Sequence, residues 1–285
     1  MSLQFQKNRL LSEFSTFGIG GPIALFAEVR SAEEMVEGYA WAKANQTPVL
    51  VIGKGSNCLF NDAGFSGLVL LNKIDFCEIH NLDVHVGSGY SFSLLGVQTA
   101  RRGLSGLEFA SGIPATVGGA IFMNAGASGR ETCEPLQSVL YLHDTGEVKE
   151  YPKNQLKFAY RSSSFQSMSG CILSAKFRLE LSLIARKSQL EIVDYRMKTQ
   201  PYKEKSIGCI FRNPSKEQTA GAIIDHCGLK GYKVGGARVS EMHANFIVNS
   251  GGATAKDVLD LIQIIQKRVQ FKMGIHLEPE IRMVP

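Results

Sequence analysis

Three short stretches of this 285-residue chain set a polar side chain inside an otherwise apolar or turn-like context, and each is of a type that can do chemistry. Arg161 follows Tyr160 in Lys157-Phe158-Ala159-Tyr160-Arg161-Ser162-Ser163-Ser164-Phe165. Cys209 lies in Gly208-Cys209-Ile210-Phe211-Arg212-Asn213-Pro214, and Glu280 in Leu277-Glu278-Pro279-Glu280-Ile281-Arg282. A guanidinium can grip a carboxylate at two points. A small acidic side chain can deliver a proton to carbon, and a carboxylate can orient a partner or accept charge. Taken singly, each also has a plainer reading: a surface arginine, an inert buried cysteine, a C-terminal ion pair.

Two glycine-rich stretches offer a different chemistry, the holding of an anion. Gly106 to Gly129, GLEFASGIPATVGGAIFMNAGASG, mixes small residues with Ile113, Val117, Ile121, Phe122 and Met123, whereas a flexible linker would be uniformly polar. Successive N–H groups in Ser111-Gly112-Ile113-Pro114 and Thr116-Val117-Gly118-Gly119 could point into one concavity and bind a diphosphate, with Pro114 stiffening the turn. A purely structural glycine loop is the alternative. The second stretch, Gly53-Lys54-Gly55-Ser56-Asn57-Cys58-Leu59, follows a short apolar run. It lacks the third glycine of the dinucleotide fingerprint, and Lys54 lies between its glycines instead of after them, so it is neither that motif nor a P-loop. The two stretches together predict a wall around a bound cofactor.

The elements that must position these residues follow from pattern. Ile23 to Val29 and Pro48 to Ile52 read as strands, with a helix over 32–44 opened by the capping-box spacing Ser31-Ala32-Glu33-Glu34. Gly67 to Leu71, Val84 to Val86 and Cys171 to Leu179 are further strands, and Ser91 to Arg102 is a helix closed by Gly103. Ser138 to Leu142 and Glu147 to Tyr151 flank Asp144-Thr145-Gly146 as a hairpin. Ser188-Gln189-Leu190-Glu191 reads as a second capping box opening a helix to Lys198. A helix over 220–227 and a strand from His243 to Val248 precede the clearest helix, which starts at Thr254-Ala255-Lys256-Asp257 and carries Val258, Leu261, Ile262, Ile265 and Val269 on one stripe, with Gly274 after its end. Strands and helices without a regular βαβ rhythm indicate an α+β fold. The expected division is an N-terminal arm over 1–20, a larger domain over 21–182 and a smaller α/β domain over 188–285.

Composition bounds the function. A hydrophobic fraction of 44% and a charged fraction of 20% are those of a globular protein. No apolar run is long enough to span a membrane, and no secretory signal pattern opens the chain, so a cytoplasmic protein without membrane insertion is expected. The formal charge of +5 suits anionic ligands such as nucleotides but is too small to indicate nucleic-acid binding. The six cysteines form no C-x-x-C pair and the six histidines no H-x-x-x-H pair, so neither a disulfide frame nor a metal site is expected. His226 and His243 read as hydrogen-bonded structural residues.

Taken in order, Ser15-Thr16-Phe17-Gly18-Ile19-Gly20-Gly21, Ile52-Gly53-Lys54-Gly55-Ser56-Asn57, Gly106 to Gly129, Tyr160-Arg161-Ser162-Ser163-Ser164-Phe165, Gly208-Cys209-Ile210-Phe211-Arg212-Asn213-Pro214 and Glu280-Ile281-Arg282 resemble the UDP-N-acetylenolpyruvoylglucosamine reductase family of bacterial peptidoglycan synthesis. The resemblance spans nearly the whole chain. The short stretch between Arg178 and Cys209 is similar to the family's type II form, which lacks an inserted substrate-capping loop and its tyrosine.

The resemblance implies an FAD-binding domain of the vanillyl-alcohol-oxidase (PCMH) type followed by a family-specific substrate domain. It implies non-covalent FAD held by Gly53, Lys54, Gly55, Ser56, Asn57, Leu59, Ser111, Gly112, Ile113, Pro114, Thr116, Gly118, Gly119, Ala120, Asn124, Gly126 and Ala127. NADPH would reduce the flavin as co-substrate. The enolpyruvyl group of UDP-N-acetylglucosamine enolpyruvate would then take hydride from the flavin, giving UDP-N-acetylmuramate. Arg161 and Glu280 would stabilise the developing charge, Cys209 would protonate the second carbon, and Tyr160, Asn213, Asn245 and Arg282 would contact the UDP-sugar. The chain departs from the family at two places. The proton donor is typically serine and is Cys209 here; a thiol, with a reference pKa of about 8.5, is a more willing acid than an alcohol. Ala115 stands where the loop usually has another glycine. Two other readings compete: a different FAD-dependent oxidase of the same fold acting on an alcohol, and a non-catalytic nucleotide-binding module. Neither glycine loop offers an obvious histidine for covalent FAD, which disfavours the first.

Overall fold

Strand Gly170–Arg178 serves two cores at once. Cys171 and Leu173 join a cluster with Met35, Leu68 and Leu70, while Ile172, Ala175 and Phe177 join another with Phe92, Phe109, Val117 and Ile121. Side chains alternate across a strand, and the parity changes where the register with Leu136–His143 is irregular, between Leu140 and Tyr141, as at a β-bulge. The computed structural model describes residues 3–215 and 217–284. These fall into two compact units, one of residues up to Gln6 with Leu25–Gly53 and Gly67–Arg196, the other of Lys7–Ala24, Lys54–Ser66 and the chain from Met197 onward.

The first unit is built on a five-stranded antiparallel sheet in the order Val148–Pro152, Leu136–His143, Gly170–Arg178, Asp83–Gly87, Cys77–His80. A second sheet sets Val49–Ile52 parallel to Phe65–Asn72, with Pro22–Val29 on the other side of the latter. Helix α1 (Ala32–Ala44) is capped by Ser31, whose Oγ accepts the Glu34 N–H. The reciprocal half of the expected box is displaced: the Glu34 carboxylate accepts the N–H of Arg30, at 2.6 Å. Helix α2 (Phe92–Arg101) has Ser91 as its cap and is followed by Gly103 at φ +69°.

Two local expectations change. A short helix α3 (Val117–Phe122) lies inside the glycine stretch. Helix α4 (Ala185–Thr199) begins before Ser188, whose N–H bonds the Ile184 carbonyl. Ser188-Gln189-Leu190-Glu191 is therefore helix interior and not a capping box, and Gln189 is buried with its side-chain oxygen accepting from Arg186.

In the second unit an antiparallel sheet runs Lys205–Cys209, Phe246–Asn249, Ala237–Val239, Lys233–Val234. The strand expected from His243 starts at Phe246, because His243 and Asn245 form the turn before it, with the Asn245 N–H donating to His243 Nδ1 at 3.2 Å. Helix α5 (Ala220–His226) is short. Helix α6 (Ala255–Met273) buries Val258, Leu261, Ile262, Ile265 and Val269 as expected, opens with a full Thr254/Asp257 capping box and ends at Gly274 with φ +67°. Asp62 adds a second cap, accepting from the Ala255 and Lys256 N–H groups. Two features join distant sequence to this unit. Arg282–Val284 pairs in parallel with Cys58–Phe60. Within the first twenty residues, Leu11, Phe17 and Ile19 are buried, the last two in the cluster that contains Ile207, Phe211 and Leu261. The units thus interleave along the chain, where the sequence divides into 1–20, 21–182 and 188–285.

Candidate functional site

In the first unit the glycine stretch is fastened from both sides. The Gly112 N–H donates to Ser93 Oγ at 2.7 Å, and the Ala115 N–H to the Ile113 carbonyl at 2.8 Å across Pro114. The Val117 and Gly118 N–H groups donate to the Tyr90 and Ser88 carbonyls, at 2.9 and 2.8 Å. Thr116 caps α3 by accepting the Gly119 N–H on Oγ1. The Gly112, Val117, Gly118 and Gly119 N–H groups, among the donors expected to converge on a diphosphate, are therefore committed to protein acceptors. The glycines instead permit close approach: a Cβ on Gly118 would lie 2.9 Å from that of Ser88, and a Cβ on Gly53 would lie 2.5 Å from Thr116 Oγ1.

Arg161 sits at the tip of the tight hairpin Phe158–Ala159/Ser162–Ser163 with φ +55°. Its Nη2 donates to the Gly126 carbonyl at 3.1 Å, and its guanidinium carbon lies 4.7 Å from the centroid of the Tyr160 ring. Gly126 makes this possible, since an added Cβ would crowd the Arg130 carbonyl at 2.5 Å and Arg161 Nη1 at 3.3 Å. Asn124, fully buried at φ +42°, donates through Nδ2 to Glu131 and to the Ala159 carbonyl and accepts the Cys133 N–H. Asn124 thus supports the hairpin that presents Tyr160 and Arg161.

In the second unit, the segments that carry Cys209 and Glu280 are hydrogen-bonded to each other. The Glu280 N–H donates to the carbonyl of Ile210, the neighbour of Cys209, at 2.7 Å, and Phe211 forms a bridge with Pro279. Asn245, 2% exposed, braces the same segment: its Oδ1 accepts the Phe211 N–H at 3.0 Å and its Nδ2 donates to the Phe211 carbonyl at 2.9 Å. Asn213 accepts the Ala220 N–H at the start of α5. The Arg282 N–H donates to the Asn57 carbonyl at 2.8 Å, and Asn57 Nδ2 reaches the Glu280 carbonyl at 3.4 Å. Burial pushes the Cys58 thiol beside it up to about 11, against the pull of the Arg282 charge. Gly55, at φ +58°, has no room for a side chain, because a Cβ would meet the Phe14 carbonyl at 2.3 Å.

The expected site residues divide by unit. Arg161, Tyr160, Gly53 and the 111–127 set belong to the first. Cys209, Glu280, Asn213, Asn245, Arg282 and Lys54 to Leu59 belong to the second. In the first unit, Pro114 and Gly119 are exposed and Gly53, Gly112, Ile113, Gly118, Gly126 and Ala127 partly so, whereas Ser111, Thr116, Ala120 and Asn124 are buried behind them. Beyond its chain neighbours and its own helix backbone, a Cβ on Gly119 would meet among the described residues only Thr116 Oγ1 within 4 Å, at 3.3 Å. Ser111 Oγ is buried with no hydrogen-bond partner among the described residues, a state that buried hydroxyls rarely keep. An open backbone surface above a sealed layer with one unsatisfied hydroxyl fits the expected FAD. Sequence reasoning missed Gln166 and Ser93, which carry no motif signal. Among the described residues no group of three or more metal-binding side chains occurs, and no helix is long and apolar enough to cross a membrane.

Comparison with known proteins accounts for both units. Residues 23–151 match the family model described as FAD binding domain, and residues 200–284 that of the C-terminal domain of UDP-N-acetylenolpyruvoylglucosamine reductase. The chain is 56% identical over 283 residues to the UDP-N-acetylenolpyruvoylglucosamine reductase of Protochlamydia amoebophila, covering 99% of this chain and 94% of that protein. It is 46% identical over 281 residues to that of Chlamydia trachomatis serovar A, covering 98% and 96%. The crystal structure of the enzyme from Thermus caldophilus superposes with a TM-score of 0.84 at 38% identity, covering 99% of this chain and all of the other. The fold is α+β, an FAD-binding domain of the PCMH type with a C-terminal domain particular to these reductases. On these matches the chain belongs to the UDP-N-acetylenolpyruvoylglucosamine reductase family.

Proposed function

We propose that the chain is a cytoplasmic, NADPH-dependent flavoenzyme that reduces the enolpyruvyl group of UDP-N-acetylglucosamine enolpyruvate, giving UDP-N-acetylmuramate for peptidoglycan synthesis. The observation that carries this reading is the Glu280 N–H on the Ile210 carbonyl, which ties the backbone segment of Glu280 to the segment of the expected proton donor, Cys209. Bound there, FAD would supply the hydride-transfer chemistry that links NADPH to the methylene carbon of the substrate.

The remaining work falls to side chains of this chain. Arg161, its guanidinium tethered to the Gly126 carbonyl, holds the substrate carboxylate and the negative charge that grows on the adjacent carbon. Cys209 delivers a proton to that carbon from Sγ. Glu280 takes part through its carboxyl group, its backbone fixed from two sides by Ile210 and Asn57. Tyr160, Asn213 and Arg282 contact the UDP-sugar. Asn245 acts one step back, since both ends of its amide are engaged by Phe211. Gly53, Gly112 to Pro114, Gly118, Gly119, Gly126 and Ala127 face the cofactor, and Ser111, Thr116, Ala120 and Asn124 support them. Lys54 to Asn57 and Leu59 complete the cofactor set.

Anaerobic addition of NADPH to the flavin-loaded protein should bleach the flavin, and UDP-N-acetylglucosamine enolpyruvate should restore its colour. Recovery with oxygen alone would overturn the assignment.

A further inference from the structure

Arg161 adopts a backbone conformation that its residue type does not favour. Its φ of +55° lies in the left-handed region, where a residue with a Cβ persists only if its surroundings hold it. The guanidinium end is held by the Gly126 carbonyl. The peptide end is held by Gln166, whose Nε2 donates to the Arg161 carbonyl at 3.1 Å. The same nitrogen donates to the Phe122 carbonyl at the end of α3, at 3.0 Å, and lies 3.7 Å from Met123 Sδ. Three acceptors around one atom identify it as the amide nitrogen, because an amide oxygen there would face two carbonyl oxygens. Gln166 is partly buried, so these bonds are shielded from competing water.

We propose that Gln166 is a positioning residue of the reductase: its side-chain amide ties the Arg161 peptide to the end of α3 and so aims the guanidinium before substrate arrives. The inference rests on the reading in which Arg161 stabilises charge on the substrate. Without the bond, the Arg161 peptide loses one of the ties that hold it away from ordinary backbone angles. The guanidinium then occupies its productive place only part of the time, which slows the step it assists and leaves flavin reduction by NADPH untouched.

The test is stopped-flow measurement of the two half-reactions on the flavin-loaded full chain, comparing Gln166→Met, Arg161→Ala and the double variant. Gln166→Met should slow flavin reoxidation by saturating UDP-N-acetylglucosamine enolpyruvate by about tenfold and leave flavin reduction by NADPH within about twofold. In the Arg161→Ala background it should slow reoxidation no further. If Arg161→Ala is slow but Gln166→Met is not, the inference fails while the reading of Arg161 stands. Equal slowing by Gln166→Met in both backgrounds also overturns it. Wild-type reoxidation in Arg161→Ala removes the reading itself. A readout independent of turnover is apoprotein unfolding: Gln166→Met should lower the midpoint more in the wild type than in Arg161→Gly, where glycine takes positive φ unaided, and an equal drop would count against the proposal. Should Gln166→Met not fold, Gln166→Glu, which keeps the shape and loses the donors, is read by the same outcomes.

Discussion

Gly53 and Thr116 touch: a Cβ added to Gly53 would stand 2.5 Å from Thr116 Oγ1 and 2.9 Å from its Cγ2. The residue that follows an early strand thus presses on the residue that caps α3. Gly53→Ala should cost about 1–3 kcal/mol by overpacking and lower flavin content. Adding Thr116→Ala, which removes both crowded atoms, should recover part of that cost. Urea unfolding and the flavin-to-protein absorbance ratio of the single and double variants measure both effects, and additive losses would mean the contact is not the cause.

Arg161 separates stability from turnover. Left-handed backbone costs a residue with a Cβ about 1–2 kcal/mol, while glycine adds about 0.5–1 kcal/mol of unfolded-chain entropy. Arg161→Gly should therefore change unfolding free energy by about 1 kcal/mol or less, yet lower kcat at least about a hundredfold. Denaturation and steady-state assays on one preparation test the split.

Cys209 is the proposed proton donor. Cys209→Ser should keep substantial turnover, whereas Cys209→Ala should lose it while retaining flavin reduction by NADPH. Unimpaired turnover in Cys209→Ala would take the thiol out of the mechanism.

Asn245 is the brace of the Cys209 segment. Asn245→Ala leaves the Phe211 N–H and carbonyl without partners in a buried place, at about 1–3 kcal/mol for each group. A drop of at least about 2 kcal/mol by urea unfolding is expected, with reduced kcat even where the protein is fully folded. A fall in substrate affinity alone, with stability intact, would instead favour direct contact with the sugar.

Cys171 makes stability pH-dependent on the alkaline side. Burial pushes its thiol from about 9 up to about 12, partly offset by a hydrogen bond from Tyr39. Above pH 9 the unfolded chain releases this proton while the folded one keeps it, so the folded state binds more protons and stability falls with rising pH. The contribution is fully present below about pH 9 and is lost as pH rises toward 12. Unfolding free energies from pH 8 to 11 should fall more steeply in the wild type than in Cys171→Ala, and parallel curves would refute the assignment.

Much of the molecule is written locally. The Thr254/Asp257 spacing, the apolar stripe after it and Gly274 specify α6, because a helix cap and a buried face depend on residues three or four apart. The same holds for the hairpin at Asp144-Thr145-Gly146, and the order of the six motifs was enough to suggest the family. Local pattern misled at Ser188, where a capping-box spacing occurs inside a helix that had already begun. It was also silent on α3, since glycines disfavour helix. That helix exists because Val117, Ala120 and Ile121 enter a core and Ser88 and Tyr90 accept its first N–H groups. Long-range pairing decided the rest: the Glu280 bond to Ile210, the use of the Asn245 amide by Phe211, and the tie of Gln166 to the Phe122 carbonyl. A hydrogen bond between residues far apart in sequence leaves no trace in the residues around either partner. It forms only when packing has excluded water and left those groups no other acceptor.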